Sequence, residues 1–99
     1  MTLAASFEIE YLQYLKPDGT LAAPLPAAVP NAEALLPLFK QMLFVRTFDS
    51  KAIALQRTGK LGTYAACLGH EATHVGIGAS MQPEDVFAPS YREYGAQFE

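Results

Sequence analysis

The sequence predicts an α/β fold that is begun within the chain, and three observations predict it. A period-two stretch at Phe7–Tyr11 precedes a turn signal. A helical segment of unusual length follows a proline-rich linker. A short apolar run, Val86-Phe87-Ala88, then lies between two further helical segments, so strand-type and helix-type patterns alternate.

Phe7, Ile9 and Tyr11 alternate with Glu8, Glu10 and Leu12, as in a half-buried strand. Lys16-Pro17-Asp18-Gly19-Thr20 is a turn sequence, because proline presets one central φ and glycine accepts a positive one. Leu21 begins the return strand of a β-hairpin, a motif of marginal stability alone. Pro24, Pro26 and Pro30 among alanines make an extended linker. Asn31 is the expected N-cap of a helix running to about Arg57, with Glu33 in its first turn, Pro37 as a second start or kink, and Gly59 as terminator. Around this helix Lys40 and Lys51 fall together, Asp49 lies opposite and Arg46 on a third side. Apolar groups therefore point in most directions, and the helix requires burial on several sides, in a larger domain or against another subunit.

Leu61–Leu68 reads as a loop or irregular strand, and Gly69–Met81 as a second helix despite Gly76 and Gly78. Ala72, Gly76 and Ser80 recur there at helical spacing, a stripe that admits close approach of another backbone. Gln82-Pro83-Glu84-Asp85 is a turn. Val86–Ala88 reads as a short buried strand, and Tyr91–Glu99 as a helix start with no stop signal, so the chain is expected to continue beyond it.

The 99 residues are 51% apolar and 17% charged, with a net charge of −3, a globular balance. No basic stripe suggests nucleic acid, and no apolar run approaches a membrane span. Met1–Glu10 has no Lys or Arg, unlike a secretory signal. With Cys67 as the one cysteine, no internal disulfide can form. A cytoplasmic protein is the expectation.

His70-Glu71-Ala72-Thr73-His74 matches H-E-x-x-H, whose two imidazoles at i and i+4 can share a zinc ion while the Glu activates water. A zinc metallopeptidase is thus one function class to weigh. Its third ligand is not evident: the longer pattern needs a histidine at position 80, which is Ser80, leaving Glu84 or Glu93. Gly76 and Gly78 make a poor platform for rigid ligand geometry. The competing reading is two histidines on a helix surface or interface.

A longer series of blocks decides between them. Leu38-Phe39-Lys40-Gln41-Met42, Arg46-Thr47-Phe48-Asp49 and Leu55-Gln56-Arg57 are followed by Gly59-Lys60-Leu61-Gly62-Thr63-Tyr64 and Leu68-Gly69-His70-Glu71-Ala72. Pro83-Glu84-Asp85-Val86-Phe87 and Pro89-Ser90-Tyr91-Arg92-Glu93 complete the series. In this order the blocks resemble the alpha subunit of thiamine-diphosphate-dependent pyruvate and branched-chain 2-oxo acid dehydrogenases, from about Leu38 to Gly95. That family has Gly-Gln-Glu-Ala or Gly-Glu-Glu where this chain has Gly69-His70-Glu71-Ala72. His70 departs at a variable site, and the departure creates the zinc-like string.

The resemblance implies a thiamine-diphosphate-binding fold with a mainly parallel sheet. Residues 1–30 would be the N-terminal hairpin and linker, and residues 31–99 an incomplete start of the cofactor domain. It implies oxidative decarboxylation of a 2-oxo acid, preferably pyruvate, with thiamine diphosphate and Mg2+ and acyl transfer to lipoyl groups. The implied partners are a beta subunit, in an alpha2-beta2 heterotetramer, and a dihydrolipoyl acyltransferase with its lipoyl domain. Gly62-Thr63-Tyr64 and Pro89-Ser90-Tyr91-Arg92 are closer to bacterial pyruvate enzymes, while Thr73-His74-Val75-Gly76 is similar to the branched-chain relatives.

Tyr91 and Arg92 match the family's cofactor-binding Tyr-Arg pair, and a guanidinium with a phenol suits a diphosphate. The alternative is Arg92 paired with Glu93 or Asp85. Tyr64 matches a segment bordering the substrate channel, or is a packed aromatic. Ala65 stands where some pyruvate-type relatives carry a histidine. The family's Gly-Asp-Gly metal and diphosphate signature does not occur in this chain. No catalytic residue and no metal ligand is therefore assigned here, and the 99-residue piece alone is expected to be inactive.

Overall fold

Asn31 starts the first helix as its residue type predicts: the side-chain Oδ1 accepts a hydrogen bond from the Ala34 N–H at 3.0 Å. In the computed structural model, which describes residues 1–29 and 31–98, this helix (α1) spans Ala32–Arg57 and keeps Pro37 inside it. It ends in a Schellman arrangement. The Gly59 N–H donates to the Gln56 carbonyl at 3.1 Å and the Lys60 N–H to that of Leu55 at 2.9 Å, with Gly59 at φ +73°.

A second helix, α2, spans Glu71–Ser80, and a 3-10 helix spans Tyr94–Phe98. Gly76 and Gly78 do not break α2. The expected helix at the end of the chain is thus shorter, tighter and later than the sequence suggests, and Tyr91 and Arg92 precede it. Glu99 and Pro30, the ends of the expected helix and linker, lie outside the described residues.

The turn at Lys16–Thr20 forms. The Lys16 N–H donates to the Thr20 carbonyl at 2.8 Å, and Asp18 Oδ1 accepts from both Thr20 N–H and Oγ1. Leu15 and Leu21 make one isolated antiparallel bridge. The pairing is therefore confined to the base of the turn. Phe7, Ile9 and Tyr11 remain more than 80% exposed, because no second strand covers them among the described residues. Val86–Ala88 likewise adopts no strand, having no neighbour to pair with among the described residues.

The core lies where α1, α2 and the 3-10 helix meet. Val45, Cys67 and Val75 are buried in it, with Leu38, Met42, Tyr94 and Phe98 packed around them. Away from this junction α1 is largely bare: Leu36, Phe39 and Leu43 each expose about half their surface. The radius of gyration is 18.0 Å, against about 13 Å for a compact chain of this length. The apolar exposure expected from the scattered polar residues of α1 is thus found. Among the described residues no helix is long and apolar enough to cross a membrane.

Candidate functional site

Val45, Asp49 and Ala52 are the buried residues of α1, spaced to share one face. Asp49 is an acid in that apolar row, only 2% exposed. Its Oδ1 accepts hydrogen bonds from the Tyr64 hydroxyl at 2.7 Å, the Cys67 N–H at 2.9 Å and the Tyr94 hydroxyl at 3.2 Å. Burial alone would raise its pKa. The bonds from Cys67, Tyr64 and Tyr94 outweigh burial and hold Asp49 below the usual carboxylate range. The Tyr64 and Tyr94 phenols are pushed upward, chiefly by burial, and stay protonated. Tyr94 also lies within hydrogen-bond reach of the Tyr64 hydroxyl and the Ala65 carbonyl.

A second buried acid, Glu71, opens α2. Arg46 Nε donates to its Oε1 at 2.8 Å and the Gly69 N–H to its Oε2 at 2.9 Å. The bond from Arg46 is the main cause of its lowered pKa. Both carboxylate oxygens of Glu71 are therefore engaged in joining α1 to the entry of α2, which leaves it poorly placed as a water-activating base. His70 is exposed at the N-cap position, whereas His74 is 1% exposed and rests on Gly95. Burial, then the neighbouring His70, lowers the His74 pKa. A buried ring packed on backbone does not suit an open catalytic zinc position. No group of three His, Cys, Asp or Glu among the described residues is arranged for a metal ion. The zinc-peptidase alternative thus lacks its base and its third ligand.

Tyr64 is half-buried, its hydroxyl on Asp49 and its ring 5.3 Å from that of Tyr94. Cys67 is fully buried, and burial raises its thiol pKa, as befits an inert filler. Tyr91 is 69% exposed, and the Arg92 guanidinium carbon lies 5.3 Å from the centre of its ring. Arg92 Nε is buried without a hydrogen-bond partner, and no ion pair joins Arg92 to Glu93 or Asp85 among the described residues. Glu93 instead accepts the N–H groups of Ser90 and Arg92, which shapes the turn carrying Tyr91. An unpartnered guanidinium nitrogen beside an exposed phenol fits an anionic group.

The structure therefore brings Tyr64 into one hydrogen-bonded cluster with Tyr94, three positions from Tyr91 and two from Arg92. Asp49 and Tyr94, which hold this cluster, were not singled out as site residues by sequence reasoning. The available signal was an acid at the helical spacing of Val45 and Ala52.

The chain belongs to the Dehydrogenase E1 component family, which it matches over residues 39–98. It is similar to the 3-methyl-2-oxobutanoate dehydrogenase subunit alpha of Mycobacterium tuberculosis, at 37% identity over 92 residues, covering 91% of this chain and 25% of the relative. It is also similar to the pyruvate dehydrogenase E1 component subunit alpha of Bacillus cereus (34% over 93 residues, 92% of this chain and 24% of the relative). The corresponding Acholeplasma laidlawii subunit is 43% identical over 61 residues, 62% of this chain and 18% of the relative. The chain thus spans about a quarter of the length of the Mycobacterium and Bacillus relatives. No solved structure matches it.

Proposed function

We propose that this chain is the N-terminal part of the alpha subunit of the decarboxylating component of a 2-oxo acid dehydrogenase complex, acting in the cytoplasm. Its elements begin an α/β thiamine-diphosphate-binding fold with a mainly parallel sheet, in which residues 31–99 open the cofactor domain. The complete enzyme decarboxylates pyruvate oxidatively and passes the acyl group to a lipoyl domain of a dihydrolipoyl acyltransferase. A beta subunit completes the active site in an alpha2-beta2 heterotetramer.

The observation that carries the site is Arg92, whose buried Nε has no partner beside the exposed Tyr91. These two residues would hold the diphosphate of thiamine diphosphate, the guanidinium by charge-assisted donors and the phenol by one more. When bound, the cofactor supplies an electron sink for loss of carbon dioxide. The chain's own residues would bind and orient: Tyr91 and Arg92 would hold the anion, and Tyr64 would border the approach to it. The family's Gly-Asp-Gly metal and diphosphate signature does not occur in this chain, so the Mg2+ ligands would come from other parts of the protein.

A branched-chain 2-oxo acid is the second reading, favoured by the likeness to the Mycobacterium subunit named for 3-methyl-2-oxobutanoate. Dye reduction by the complete alpha subunit co-purified with its beta subunit tests both. Turnover with pyruvate that requires thiamine diphosphate and magnesium is the expected result. Preference for 3-methyl-2-oxobutanoate would transfer the assignment to the second reading, and no turnover with either acid would overturn both.

A further inference from the structure

We propose that Asp49 is a positioning residue: its Oδ1 ties the loop carrying Tyr64 and Cys67 to α1, and through that loop fixes Tyr94 and the Tyr91–Arg92 turn. Its functional side rests on the reading of Tyr91 and Arg92 as diphosphate contacts. Three groups from two different segments converge on that oxygen. The Tyr64 hydroxyl and Cys67 N–H come from the loop before α2, and the Tyr94 hydroxyl comes from the start of the 3-10 helix.

Hydroxyl protons can be counted. Tyr64 has one, and its shorter approach to Asp49, 2.7 Å against 3.2 Å for Tyr94, assigns that proton to the carboxylate. Tyr94 has one proton, with the Tyr64 oxygen and the Ala65 carbonyl as further acceptors within reach. Either choice keeps the Tyr94 ring fixed to the loop that Asp49 holds. The ring itself lies 6.0 Å from Phe48 and 5.3 Å from Tyr64. One residue later, a Cβ on Gly95 would meet His74 Nδ1 at 2.6 Å, so this backbone has no room to slide towards α2. Arg92 is two residues before Tyr94. Its direction is set by where Tyr94 is pinned, and Tyr94 is pinned by groups that depend on Asp49.

Asp49→Asn and Tyr94→Phe in the complete alpha subunit, co-produced with its beta subunit, test this. The asparagine keeps the shape but weakens charge-assisted bonds, and the phenylalanine removes one hydroxyl only, so folding survives in at least the milder variant. Without cofactor, limited trypsin digestion reads each basic site separately. Asp49→Asn is expected to speed cleavage after Arg92 by about tenfold, the worth of one charge-assisted hydrogen bond. Tyr94→Phe should act in the same direction but less. Cleavage after Arg46, Lys51 and Arg57 in α1 should be unchanged. The KM for thiamine diphosphate should rise by about the same factor while kcat stays within about twofold.

Equal acceleration at the α1 sites would show a general support role and overturn the proposal. So would an unchanged Arg92 site, or a fall in kcat with no change in the cofactor KM. If the unmodified enzyme shows no dependence on thiamine diphosphate, the functional reading of Tyr91 and Arg92 fails, and the digestion pattern still decides whether Asp49 anchors the turn.

Discussion

The N-terminal stretch and the helical core of this chain treat apolar residues in opposite ways. Phe7, Ile9 and Tyr11 project into solvent, whereas Val45, Cys67 and Val75 are closed into a core. Hydrophobicity does not separate the two regions. Among the described residues the polar links of the N-terminal region are local, such as Asp18 to Thr20, two residues apart. The core region is tied across the sequence, by Arg46 to Glu71 over 25 residues and by Asp49 to Tyr94 over 45. An apolar pattern yields burial only where a second surface is held against it. Here two buried acids do much of that holding.

Substitutions in the two regions should differ accordingly in effect. The largest effect is expected for Asp49→Ala, which leaves the Cys67 N–H and one or both phenols short of an acceptor. A loss of about 3 kcal/mol should appear in denaturant titration of the alpha–beta complex. Gly95→Ala comes next: its Cβ would lie 2.6 Å from His74 Nδ1 and 3.0 Å from Val45 Cγ1. The neighbours must shift, at about 1–3 kcal/mol, read as a lowered Tm by calorimetry.

Acid acts on the core through its buried histidine, His74. The His74 pKa is lowered from 6.5 in the folded protein, by burial first and His70 second. Between that lowered value and 6.5 the unfolded chain binds the extra proton more readily. The contribution of His74 is therefore complete above the unfolded value and is lost as pH falls through it towards the folded one. Asp49 and Glu71, whose pKa values are lowered, add a further loss at lower pH, as it falls past their unfolded values. His74→Leu should flatten the decline in stability between pH 7 and 5, followed by thermal melts across that range. The smallest effect is expected at the other end: Ile9→Ser, at a residue 83% exposed, should shift stability by no more than about 0.5 kcal/mol. A larger loss would mean that the N-terminal stretch is covered in the assembled protein.

Much of the helical framework was legible in the sequence, because capping chemistry is local. Asn31, Glu33 and Gly59 marked the ends of α1, and Glu71 to Ser80 fell inside the expected second helix. The turn at Lys16–Thr20 was legible for the same reason. The strand-type runs were not decided by local pattern: Phe7–Tyr11 and Val86–Ala88 read as strands, but a strand needs a partner from elsewhere. Tyr91, Arg92 and Tyr64 were reached through their family-like context. The joining of Tyr64 to Tyr94 through Asp49 depends on contacts 15 to 45 residues apart, which no periodicity encodes. The H-E-x-x-H string shows the opposite case, where a legible motif is given another use by the fold. Its Glu71 holds Arg46 and the Gly69 N–H, and its His74 packs on Gly95.

The most direct test of the central claim is calorimetric titration of thiamine diphosphate, with magnesium present, into the complete alpha–beta enzyme and into its Arg92→Ala variant. Saturable binding by the unmodified enzyme is expected, with a loss of affinity of about tenfold or more in the variant, the worth of one charge-assisted contact to a phosphate. Equal affinity in both proteins would mean that Arg92, with its unpartnered Nε, has no part in holding the cofactor.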